Sequence, residues 1–111
     1  MKKIKNIYLI GIGGAGMSGI AEILLNSGYK VSGSDNASSL ITSRLQNLGI
    51  NVYDKHDSEN LKNIDLIVYS SAISEDNPEM IHGKKMGIPI IRRAEMLSLI
   101  HISEPTRRTI I

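Results

Sequence analysis

Residues Leu9–Leu25 read LIGIGGAGMSGIAEILL, an apolar run broken by glycines and followed by a helical pattern. Gly11, Gly13, Gly14, Gly16 and Gly19 stand where a helix must begin, and each gives up backbone entropy and a packing side chain. That loss is tolerated where the chain turns sharply or where something comes close to the main chain. Gly11, Gly13 and Gly16 form G-x-G-x-x-G between a strand-like segment and a helix, the context in which this spacing binds a diphosphate. The first glycine then permits the turn, the second clears the approach to the backbone, and the third lets helix pack on strand. Unpaired amides at the helix start meet the anion, with no lysine required. The rival reading is a tight turn without a ligand. The extra glycines Gly14 and Gly19 and the topology of the whole chain favour a ligand.

Working outward, strands and helices alternate. IKNIYLI (residues 4–10) is a short β-branched run that ends at glycine, as a buried parallel strand does. Met17, Ile20, Ala21, Leu24 and Leu25 recur at helical spacing over residues 15–27, with Gly28 at the C-terminal end. Residues 29–35 read as a second strand. Ser38 or Ser39 caps a second helix, on which Ile41, Leu45 and Leu48 are expected to form the inner face before Gly49. INVY (50–53) is a third strand, and residues 54–62 form a turn or short helix. DLIVYS (65–70) is a nearly all-apolar, central fourth strand. Asn77-Pro78 starts a third helix that runs to Met86 with Gly87 beyond it. IPII (88–91) is a fifth strand, placed at an edge or a strand start by Pro89. RRAEMLSLI closes the pattern as a helix with Met96, Leu97 and Ile100 facing inward. The expectation is an α/β domain: a doubly wound parallel sheet of about five strands in the order 3-2-1-4-5, with helices on both faces. Ligands bind such sheets outside the carboxyl ends of the strands, at the switch point between strands one and four.

The bulk properties exclude several classes. At 111 residues, 41% hydrophobic and 22% charged, the chain is one ordinary small domain. It has no cysteine, so no disulfide, thiolate nucleophile or cysteine-held metal is expected. The start MKKIKNIYLIGIGG has too short an apolar run for a signal peptide, and no segment approaches a membrane-spanning length. We expect a cytoplasmic protein with no membrane partner. The net charge of +2 is spread along the chain, and there is no Phe or Trp to stack on bases, so no nucleic-acid partner is expected. His56, His82 and His101 lack metal-ligand spacing and are expected at the surface. No catalytic triad or carboxylate pair can be argued, and Gly83-Lys84 lacks the rest of a phosphate-binding P-loop.

Two further segments border the expected crevice. Asp35 lies about 20 residues past the motif, where an acidic side chain accepts from a ribose or base. It could equally cap its own loop with help from Ser34 and Asn36. Ser70, Ser71 and Ala72 leave the fourth strand across the switch point and are candidate ligand contacts, although serines also end strands by satisfying loop amides.

Three stretches, GIGGAGMSGIAEILLNSGYKVSGSD, SSAISEDNP and GIPIIRRAEML, together resemble the N-terminal domain of the Mur ligase family over about residues 4–100. The resemblance implies a Rossmann-like domain that holds the UDP part of UDP-N-acetylmuramate rather than NAD. It implies that the loop from Gly13 to Ser18 (Gly13, Gly14, Ala15, Gly16, Met17 and Ser18) carries the diphosphate, with Gly11 in the same UDP site and Asp35, Ser70, Ser71 and Ala72 near the uridine. In the whole enzyme that it implies, ATP and magnesium activate the muramoyl carboxylate as an acyl phosphate, which L-alanine attacks in peptidoglycan synthesis. Residues 101–111, HISEPTRRTII, run where the family continues towards its ATP-binding and C-terminal domains, and residues 103–111 have no counterpart in it. The expectation is therefore a binding domain at 1–100, an irregular tail at 101–111, no cofactor of its own and no ligation by this polypeptide alone. A nicotinamide-dinucleotide domain fits the glycines and Asp35 equally well but does not predict SSAISEDNP or RRAEML. A purely structural domain that docks the missing parts of the parent is the third reading.

Overall fold

The computed structural model describes residues 3–14 and 16–102. Five parallel strands form one sheet in the order β3-β2-β1-β4-β5. They are β1 (Asn6–Ile10), β2 (Lys30–Ser34), β3 (Asn51–Tyr53), β4 (Leu66–Tyr69) and β5 (Ile90–Arg92). The helices are α1 (Met17–Asn26), α2 (Leu40–Asn47), α3 (Pro78–Met86) and α4 (Arg93–Ile102), and a 3-10 turn spans Ser58–Asn60. The expected strand order is the observed one. The strands are shorter than the sequence pattern suggested because hydrogen-bonded pairing stops where the chain bends away. The fifth strand is shifted to Ile90–Arg92 because Pro89 has no amide to donate; its carbonyl still accepts from Ile67 at 2.9 Å.

Alternation along β1 divides the core. Ile7 and Leu9 point to one face, where they pack with Met17, Ile20, Ala21 and Leu24 of α1, Leu45 of α2 and Met96 of α4. Tyr8 and Ile10 point to the other face and pack with Ile67, Met80 and Leu61. This two-sided burial is what right-handed crossovers on either side of a switch point produce.

Local chemistry sets the helix starts. Ser39 is the cap of α2, and its hydroxyl accepts from the Thr42 amide at 3.2 Å while Thr42 Oγ1 accepts from the Ser39 amide at 2.9 Å. Asn77 Oδ1 accepts from the Glu79 amide at 2.8 Å, with Pro78 as the first residue of α3. The inner face of α2 differs from expectation. Leu45 is buried, but Ile41 and Leu48 are 42% and 45% exposed, and Thr42 takes the inward position instead. Thr42, the N3 residue of the capping box, faces the glycine turn, with Cγ2 2.9 Å from where a Cβ on Gly13 would stand.

Two glycines outside the opening motif allow close layer contact. A Cβ on Gly33 of β2 would lie 2.8 Å from Ile12 Cδ1 and closer still to the Leu9 carbonyl oxygen. A Cβ on Gly83 of α3 would lie 2.5 Å from Ile67 Cδ1, so this glycine lets α3 settle on β4.

Under the carboxyl end of the sheet lies a polar hub around Glu79, whose side chain is fully buried. Its Oε2 accepts from the Tyr8 hydroxyl, from Asn60 Nδ2 at 2.9 Å and from the Asp57 amide at 3.2 Å. Its Oε1 accepts from the Ser34 hydroxyl at 2.5 Å and lies 3.2 Å from His56 Nδ1. Because Ser34 gives its one proton to Glu79, the 2.7 Å contact between Ser34 Oγ and His56 Nδ1 places the hydrogen on Nδ1. His56 is thus no surface residue; its side chain is 11% exposed. His82 is partly buried in α3, and the side chain of His101 lies outside the described residues. Five donors and the start of α3 compensate the buried carboxylate. Burial, and then the adjacent Glu79 carboxylate, hold the Tyr8 phenol well above its ordinary range.

Three outcomes are expected. Gly33→Ala forces β1 and β2 apart and lowers stability by about 1–3 kcal/mol or more, read as a lower denaturant midpoint at unchanged slope. Glu79→Ala strands several buried donors and costs about 3–5 kcal/mol in the same measurement, with Glu79→Gln losing less. The folded state binds the Tyr8 proton more tightly than the unfolded state does. Its contribution is therefore intact below about pH 10 and is lost as pH rises beyond that. Tyr8→Phe removes this part of the alkaline decline in melting temperature.

Candidate functional site

The glycine turn leaves β1 at Ile10 and doubles back into α1. Gly11 has a φ of 80° and Gly16 a φ of 79°, both in the left-handed region that side chains resist. The amides of Gly11 and Ile12 both donate to the Ser34 carbonyl, at 2.8 and 3.0 Å, and fasten the turn to the end of β2. Gly14 N–H donates to the Gly11 carbonyl at 3.0 Å, and Met17 N–H to the Gly14 carbonyl at 3.0 Å. Gly16 is the N-cap of α1, and no side chain caps it. The first-turn donors that follow, Ser18 and Gly19, have no acceptor inside the helix by its geometry.

Gly13 makes room within the protein itself. A Cβ there would lie 2.9 Å from Thr42 Cγ2 and 3.0 Å from Asp35 Oδ2, so the missing side chain makes room for α2 and a carboxylate. Its amide donates to Asp35 Oδ2 at 2.9 Å, while Asp35 Oδ1 accepts from the Ala37 amide at 2.9 Å. The loop-cap reading of Asp35 is therefore realised. Each carboxylate oxygen keeps a second lone pair for another donor.

Across the switch point, Ser70 follows β4 and meets the same turn. A Cβ on Gly11 would lie 3.2 Å from Ser70 Cβ, and one on Gly14 3.8 Å from Ser70 Oγ. The Ser70 hydroxyl also accepts from the Ala72 amide at 3.2 Å, and the Ser70 amide donates to the Ile10 carbonyl at 3.2 Å. Ser71 and Ala72 are exposed beside it. The sheet thus brings Gly11, Gly13, Gly14, Gly16, Asp35 and Ser70 together at the carboxyl ends of β1, β2 and β4, with Ser18 in the first turn of α1. Met17 is a core residue: its side chain is fully buried, and only its backbone borders the turn. Ala15 lies outside the described residues.

Three contributors escaped the sequence reading. Thr42 packs against the turn, a polar residue at a buried position that apolar periodicity does not register. Ser34 joins the turn to the polar hub, its carbonyl holding Gly11 and Ile12 and its hydroxyl donating to Glu79. Arg93, the first residue of α4, lies over Gly16, with Nη1 3.0 Å from where a Cβ would stand. Only the arrangement of β5 beside β4 could have revealed that contact. The charge of Arg93 alone reads as surface.

Comparison with known proteins agrees with this geometry. The sequence model described as Mur ligase family, catalytic domain, matches residues 6–103. The chain is 58% identical over 99 residues to the UDP-N-acetylmuramate–L-alanine ligase of Buchnera aphidicola subsp. Acyrthosiphon pisum, covering 89% of this chain and 20% of that protein. Among solved structures it is similar to the UDP-N-acetylmuramate-alanine ligase MurC of Thermotoga maritima, at 33% identity and a TM-score of 0.81. That match covers 86% of this chain and 22% of the other. It is also similar to the UDP-N-acetylmuramate:L-alanyl-gamma-D-glutamyl-meso-diaminopimelate ligase of Neisseria meningitides, at 31% identity and a TM-score of 0.79, over 86% of this chain and 31% of that one. The chain spans about a fifth of the length of the curated relatives it matches. With a family match across nearly its whole described length and the same five-stranded architecture, the chain belongs to the Mur ligase family.

Proposed function

We propose that this domain holds the uridine diphosphate end of UDP-N-acetylmuramate for a ligase that joins L-alanine to the muramoyl carboxylate in peptidoglycan synthesis. The observation that carries the reading is the meeting of the glycine turn with Ser70 across the β1–β4 junction, beside a helix start without a side-chain cap. A diphosphate resting there takes amides of the first helical turn at Ser18 and Gly19 and the Ser70 hydroxyl. Gly11, Gly13, Gly14, Ala15 and Gly16 shape the floor, and Met17 contributes backbone alone. Asp35 offers its remaining lone pairs to ribose or base donors, and Ser71 and Ala72 border the uridine. The binding domain extends through the last helix, α4, which ends at Ile102. The names of the relatives support this substrate over a nicotinamide dinucleotide.

ATP and magnesium belong to other parts of the ligase in this reading. Among the described residues no group of three His, Cys, Asp or Glu could hold a metal ion, and the sequence has no P-loop lysine in register. The chain's own residues bind and orient the nucleotide; they move no proton of the ligation. Among the described residues no helix is long and apolar enough to cross a membrane, and we place the ligase in the cytoplasm, where its nucleotide substrates are.

Calorimetric titration with UDP-N-acetylmuramate, UDP and NAD tests the assignment. The uridine compounds are expected to bind, and NAD at least about tenfold more weakly, a difference of about 1.4 kcal/mol. Equal or tighter binding of NAD contradicts it.

A further inference from the structure

Arg92 and Arg93 adjoin in sequence but have opposite surroundings. Arg92 is exposed and paired: its Nε lies 3.7 Å from Glu95 Oε1, and its amide donates to the same oxygen at 3.0 Å. Arg93 is half-buried and lies on the glycine turn. From the place a Cβ on Gly16 would take, Arg93 Nη1 is 3.0 Å away, Cδ 3.4 Å and Cζ 3.5 Å. Among the described residues no carboxylate lies within ion-pair distance of Arg93.

This placement sets a guanidinium beside the N-terminal end of α1, which itself carries about half a positive charge. Two positive groups adjoin, and among the described residues no carboxylate pairs with Arg93. Such an arrangement costs stability in the empty domain and gains when an anion enters. The planar fork of an arginine matches two phosphate oxygens at once, which a lone helix terminus does not. Gly16 makes the contact possible, since any side chain there would displace the guanidinium. The side chain also comes from the far side of the switch point, so the crevice is closed by charge from both halves of the sheet.

We infer that Arg93 clamps the diphosphate against the start of α1 and sets a preference for doubly charged phosphate groups over uncharged nucleosides. The inference rests on the nucleotide reading of the glycine turn. The test is calorimetric titration of the 111-residue chain and of its R93A, R93Q and R93K variants with uridine, UDP, NAD and inorganic pyrophosphate. Thermal melts check that each variant is folded, and R93Q serves if R93A is not. R93A and R93Q are expected to weaken UDP and pyrophosphate roughly 10- to 100-fold, with uridine affinity unchanged, melting of the empty domain no lower, and R93K recovering part of the loss. Undiminished UDP binding by R93Q overturns the role of Arg93 and leaves the nucleotide site standing. A loss that strikes uridine and UDP equally marks a structural role and overturns it as well. If the unsubstituted chain binds neither UDP nor pyrophosphate, the nucleotide reading falls and this inference with it. If pyrophosphate binding depends on Arg93 but UDP is not favoured over NAD, the clamp stands and only the uridine assignment is lost.

Discussion

The carbonyl oxygen of Ser34 holds the crevice together. It accepts the amides of both Gly11 and Ile12, so the turn after β1 is fastened to the end of β2. The same residue's hydroxyl donates to Glu79, which collects four further donors under the sheet. One residue therefore links the main chain of the glycine turn to a buried polar network. A shift of β2 by a single position would exchange the faces of its side chains, breaking this link and bringing Gly33 or Asp35 to the place of Ser34. Gly33, the preceding residue, lets β2 approach Leu9 and Ile12 closely enough for the link to form.

From that junction the division of labour follows. Apolar packing on the α1 face and around Ile67 and Met80 on the other supplies the drive to fold. The polar hub supplies position, because its hydrogen bonds are directional and its carboxylate is stable only when all are made. The loop between β3 and β4 has little apolar surface of its own, and Asp57, Asn60 and His56 attach it to the sheet through Glu79. Among the described residues no buried side-chain polar atom lacks a partner, which is the condition such a network must meet.

Much of this was legible in the residues. The cap at Asn77, the proline at the first turn of α3 and the glycine after it are written in local chemistry, and the strand order followed from the alternation of strands and helices with right-handed crossovers. The contacts that shape the crevice were not legible, because each pairs residues distant in sequence. Glu79 looks like an ordinary acid in the first turn of a helix, and its burial depends on where Tyr8 and Ser34 arrive. Gly13 reads as clearance for a ligand, yet its neighbours are Thr42 and Asp35. Helical periodicity pointed Ile41 and Leu48 inward, but both are exposed and Thr42 takes the inward place beside Gly13. Periodicity counts apolar residues and is blind to a threonine that packs on a glycine turn distant in sequence.

The junction of β5 and α4 has a mechanical side. Arg92 ends the strand and Arg93 begins the helix, with no residue between to act as a joint. A helix of ten residues is a stiff rod roughly 15 Å long. Tilting its base by a few degrees carries its tip through about an ångström. Whatever repositions the backbone at Arg93 is therefore passed on as a lever stroke along α4, whereas a flexible connection would have absorbed it.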